Sequence, residues 1–81
     1  MDKLMELTSK LQLAINETVG AQKRLAMTEG EANRLASIHL KGIPEYAALS
    51  LLEARKDLET AMINQRSLMQ DLERQKEQIQ P

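Results

Sequence analysis

Gly42 and Pro44 stand two residues apart near the middle of an 81-residue chain, in the segment Lys41-Gly42-Ile43-Pro44-Glu45. This is the one clear break between two long helix-forming runs. Glycine ends a helix readily because it reaches the left-handed conformation without a Cβ clash. Lys41 favours the C-terminal end of the preceding dipole. Proline lacks an N–H and suits the first turn of the helix that follows, where Glu45 adds a favourable negative charge. A connection this short makes its two arms antiparallel neighbours. The expected fold is therefore all-α: a coiled-coil-like antiparallel helical hairpin forming a single domain over 1–81, with arm 1 about 3–41, the turn 41–44 and arm 2 about 44–78. Ile43 and Tyr46 are expected to cover the turn end of the hairpin. Alternatively, Tyr46 anchors a partner, since tyrosine is enriched at binding hot spots.

The first arm opens with Asp2 as an N-cap and Glu6 in the first turn. A seven-residue pattern then runs without a slip. One line is Leu4, Leu11, Thr18, Leu25, Ala32 and His39; the other is Leu7, Ala14, Ala21, Thr28 and Leu35. Alternating spacings of three and four place both lines on one stripe of a helix. Ile15 and Ala36 widen it, and Lys3, Lys10, Glu17, Arg24 and Glu31 flank it. The middle of the seam is small, which admits a close neighbour but buries little area at about 25 cal/mol per Å². Gly20 and Gly30 weaken the arm, and Thr28-Glu29-Gly30-Glu31 reads as a capping box. Two readings follow. Either the arm breaks near residue 28, giving helices of about 3–26, 28–41 and 44–78, or tertiary packing tolerates the glycines in one long helix.

The second arm repeats the period, with Leu51, Leu58, Gln65, Leu72 and Ile79 on one line and Ala47, Ala54, Ala61, Leu68 and Gln75 on the other. Leu52, Met62 and Met69 add a further apolar edge. The stripe is then wider than a two-helix seam needs, which implies a third helical surface and assembly into a multi-helix bundle. Gln65 either sets the register by hydrogen bonding or marks a gap in the packing. From Asp71 onward the chain turns polar, and this end is expected to fray or to reach past the bundle.

Stability arguments point the same way. With 1% aromatic residues and no cysteine, any core is thin and has no disulfide to staple it. Long helix packing and association with another chain are the remaining routes. The net charge is −1, with 11 basic and 12 acidic residues interspersed, so the basic footprint of a nucleic-acid binder is missing. No apolar run reaches the roughly 20 residues that span a bilayer, and the N-terminus lacks a signal-peptide layout. A cytoplasmic protein with no nucleic-acid partner and no membrane insertion is expected. Nor is there a motif for catalysis, a phosphate loop or a metal. The single His39 has no second ligand at a suitable spacing, and the carboxylates alternate with Lys and Arg as on a solvated face. No enzymatic activity and no cofactor are expected.

Gly42-Ile43-Pro44-Glu45-Tyr46, with Leu51-Leu52-Glu53-Ala54 and Leu58-Glu59-Thr60-Ala61, resembles the small co-chaperones of type III secretion systems (the YscE and SsaE type). Those are short helical hairpins with a proline-containing turn, a tyrosine just after it and a Leu/Ala/Glu second helix. The resemblance covers about half of the chain, whose first arm is longer and whose C-terminal end is more polar. It implies pairing with a larger helical-repeat chaperone that keeps a needle subunit soluble before export. Glu29-Gly30-Glu31-Ala32-Asn33-Arg34-Leu35, with Pro44-Glu45-Tyr46 and Leu52-Glu53-Ala54, is also similar to the helical segment behind the membrane-scaffold domain of prohibitin and stomatin relatives. The 81 residues leave no room for that preceding domain.

The leading expectation is an interaction module, most concretely a small chaperone or assembly factor of a secretion apparatus, whose partner is another helical protein, itself, or both. Its partner interface is expected at Tyr46, Leu51, Leu52, Leu58, Met62 and Met69. The hairpin seam is expected at Leu4, Leu7, Leu11, Leu25, Leu35, Leu68 and Leu72. One alternative is a self-assembling structural coiled coil. Another is a small phage or regulatory protein that binds an enzyme or an anionic ligand through Lys23, Arg24 and Arg34, or Arg55 and Lys56.

Overall fold

A computed structural model describes residues 3–38 and 42–79. Two helices, α1 (Lys3–Ile38) and α2 (Glu45–Ile79), run antiparallel and pack along their length as an all-α hairpin. The result is a rod of 64 × 14 × 14 Å with a radius of gyration of 18.3 Å. A compact domain of this length would have a radius of about 12 Å. Asp2, His39 and Lys41 lie outside the described residues, as do the final two positions.

The turn follows from the chemistry of its residues. Gly42 has φ 97°, the left-handed region open to glycine. The carbonyl of Pro44 accepts from the backbone N–H groups of Ala47 (3.0 Å) and Ala48 (3.1 Å). Pro44 is therefore the residue just before the helix, one position earlier than expected, and Glu45 begins the first turn. Ile43 and Tyr46 do not cover this end: both are exposed, Tyr46 at 65%. Leu35 and Ala47 are the side chains buried there, with Pro44 half-buried.

α1 is continuous, so the break near residue 28 does not occur. The Thr28 hydroxyl donates to the Arg24 carbonyl one turn back, at 2.7 Å, instead of capping a new helix. The seam keeps its phase across Gly30 through Leu25, Thr28, Ala32 and Leu35, all buried or half-buried. A Cβ at Gly30 would meet nothing within 4 Å, so no packing demands glycine there.

Each seam position whose side chain is described is buried or half-buried. The deepest are the small ones: Ala14, Thr18, Ala21, Ala32, Ala47 and Ala54, with Leu35 the one large side chain among them. Alanines let the helices approach closely, at the short end of the usual 8–10 Å separation. Leu4, Leu7, Leu11, Leu25, Leu51, Leu58, Leu68 and Leu72 stay half-exposed. Two helices form one layer, and a layer has no third surface to close over its leucines. Among the described residues no ion pair joins the helices: Glu6–Lys10, Glu31–Arg34 and Asp71–Arg74 each lie within one helix and in water.

Candidate interaction surface

Clefts between the helices show which stretches lie side by side. Leu7 and Gln75 line one of them, Thr18 and Gln65 another, Gly20 and Ala61 a third, Leu25 and Leu58 a fourth, and Thr28 and Ala54 a fifth. This register leaves two long sides of the rod between the helices, and they differ in chemistry.

One side is an apolar groove. Leu25, Leu58, Met62 and Ile63 line one stretch of it, and Thr18, Gln22, Gln65 and Met69 continue it past Met62. Its rim is charged by Arg55, Glu59 and Arg66. Met62 is 44% exposed and Met69 46%, although the groove gives each a wall on one side. Ile15 is half-buried on this side of α1, whereas Ala36, expected to widen the stripe, is exposed. Leu52 also belongs to the exposed apolar residues of α2, at 63%.

The other side carries more polar side chains, with Leu13 and Met27 exposed among them. Leu13, Asn16, Glu17, Gly20, Arg24, Asp57, Thr60 and Asn64 line a trough of about 690 Å³, and Met27, Ser50 and Glu53 extend it. The trough is larger than either stretch of the groove taken singly, but its walls are well solvated. Shape alone therefore does not mark it as a binding site.

Of the residues expected at a partner interface, Leu58, Met62 and Met69 come together in the groove. Leu51 is half-buried in the hairpin's own seam. Tyr46 does not line the groove; it is exposed in the first turn of α2. Ile63 was missed as a lining residue because it falls outside the seven-residue lines. It joins the groove because it lies four residues after Glu59 and three before Arg66, on the same face of α2. Gln65 is half-buried, and among the described residues its side chain makes no hydrogen bond. Thr18 opposite it turns its hydroxyl to the Ala14 carbonyl instead, at 3.0 Å.

Of the basic residues weighed for an anionic ligand, Arg34 is already engaged. It donates to both carboxylate oxygens of Glu31, at 2.6 and 3.1 Å, which holds that carboxyl below its ordinary range. Arg24 sits in the polar trough among Glu17 and Asp57, a poor setting for an anion. No group of three metal-ligating side chains is present among the described residues, and neither described helix is long and apolar enough to cross a membrane.

No protein-family model, curated protein or solved structure matches this chain.

Proposed function

We propose that the chain is a non-enzymatic interaction module whose apolar groove packs against a further helical surface, most concretely as a small chaperone or assembly factor. The observation that carries this reading is the clustering of large apolar side chains. Leu25, Leu58, Met62, Ile63 and Met69 open onto the same side, while on the opposite side Leu13 and Met27 stand apart among Asn16, Glu17, Arg24, Asp57 and Asn64. The whole chain exposes 6393 Å². A compact protein of this mass exposes about 4,900 Å². The difference is ample for a specific interface, which takes about 800 Å² from each partner. Methionines suit such a surface because their unbranched side chains adapt to a partner's shape. The resemblance to type III secretion co-chaperones points to the same kind of work and supplies the secretion apparatus as its setting.

The experiment places a photo-crosslinking amino acid at Met62, and separately at Asn64 on the polar side, in the full chain within its native cells. The reading predicts adducts from position 62 and few from position 64, lost again when Ile63 and Met69 are both changed to Asp. Equal labelling from both sides, or none from position 62, overturns it. Leu58→Asp is a weaker probe, because Leu58 also helps hold the hairpin together.

A further inference from the structure

We propose that the occupant of the groove is a second copy of this chain, laid antiparallel and face to face about a two-fold axis passing between Met62 and Ile63. The inference rests on the groove being an interaction surface and adds what fills it.

Three observations point to a copy over an unrelated helix. The first is level. Met62 stands midway along Glu45–Ile79, and Gly20 and Ala21 stand midway along Lys3–Ile38. Residues 13–24 of α1 and 57–64 of α2 line one trough, so the middle stretches of the two helices lie side by side. A two-fold axis at that height, perpendicular to the rod, overlaps two hairpins along their whole length and leaves no apolar overhang.

The second is charge. Glu59 lies three residues before Met62, and Arg66 lies three residues after Ile63; both line the groove. Neither makes an ion pair among the described residues. The proposed axis sets Glu59 opposite Arg66 of the second copy, and Arg66 opposite Glu59 of the second copy. Two pairs thus form from a pattern that has no use within one chain. Arg55 comes level with Gln70 of the second copy, a neutral side chain, so it meets no like charge there. A self-complementary patch of this kind is what an isologous interface requires.

The third is the neighbouring strip of α1. Gln12, Ile15, Val19, Gln22 and Ala26 carry no charge. The same axis lays Ile15 against Ala26 of the second copy, so closing the interface buries no unpaired charge there. The product is a four-helix bundle with its two turns at opposite ends.

The test uses Glu59→Arg and Arg66→Glu, singly, together and mixed. Light scattering after size exclusion over a roughly hundredfold concentration range reads assembly, because oligomer stability follows mass action. Circular dichroism on the same samples reads helicity. The wild-type chain is expected to be a helical dimer. Each single change sets like charges opposite twice and is expected to weaken assembly by about tenfold or more, with helicity retained by the residual dimer. The double variant, and an equal mixture of the two single variants, are expected to recover it. A helical monomer at every concentration, or a dimer indifferent to both single changes, overturns the proposal. Crosslinks from position 62 to a different protein would leave the groove standing as an interaction surface without the second copy. Absence of any crosslink there defeats the surface itself.

Discussion

The hydroxyl of Thr18 donates to the carbonyl of Ala14 at 3.0 Å, one turn back, in the most tightly packed part of the seam. The side chain thereby satisfies itself within α1 and takes nothing from Gln65 across the cleft. Thr18→Val replaces a buried hydroxyl by a methyl and leaves the Ala14 carbonyl its normal helical bond. It is expected to be neutral or to stabilise by up to about 1 kcal/mol. Urea denaturation at fixed protein concentration checks this. A loss above about 1 kcal/mol would show that the hydroxyl has a partner on α2.

Ala21 is 1% exposed, the most deeply buried of the seam alanines. Ala21→Leu inserts three heavy atoms into a gap shaped for a methyl group. It is expected to cost about 1–3 kcal/mol by forcing the helices apart. Thr60→Leu, at an exposed position of α2 on the side away from the groove, is expected to fall within about 0.5 kcal/mol of wild type. Paired thermal melts of the two variants read the difference.

The glycines separate by conformation. Gly30→Ala adds a Cβ into open space on a helix and is expected to stabilise by about 1 kcal/mol. Gly42→Ala places a Cβ at φ 97° and is expected to destabilise by about 1 kcal/mol. Opposite signs in one melting series confirm the assignment of a continuous helix at one site and a left-handed helix stop at the other.

Arg34 grips Glu31 through two hydrogen bonds, and the carboxyl titrates below the ordinary glutamate range for that reason first. The folded-state value is depressed, so the associated stabilisation is present above the unfolded value and is lost as the pH falls through the folded one. Both groups are exposed, so the effect on overall stability is small. An NMR titration of the Glu31 carboxyl is expected to give a lowered midpoint. Arg34→Lys, which cannot reproduce the two-pronged contact, should move that midpoint back toward the ordinary range.

The hairpin was legible because its signal is long. Leu4 to Leu35 and Ala47 to Gln75 repeat the same spacing over four or more heptads, and a one-residue slip would expose every leucine. Thr28-Glu29-Gly30-Glu31 misled because a capping box is a four-residue signal. It competes with helix propagation that Leu25, Ala32 and Leu35 hold in phase from both sides. Tyr46 and Ile43 misled for a related reason: adjacency to a turn does not say whether a side chain folds back over it. The two-sidedness of the rod was also hidden. A heptad line marks the seam of each helix, but which flank of α1 meets which flank of α2 emerges only once the antiparallel register brings Met62 beside Thr18 and Asp57 beside Arg24.

The chain contains no cysteine, so a single introduced thiol reports without interference. Met62→Cys places one beside the proposed two-fold axis, and Asn64→Cys places one on the polar side as its control. The decisive measurement is mild air oxidation of each variant at a concentration where the wild type is assembled, read by mass on a non-reducing gel. The account predicts rapid conversion of the Met62 variant to a disulfide-linked dimer that keeps its helicity, and little conversion of the Asn64 variant. Equal, slow conversion of both, in a protein that remains folded, would contradict it.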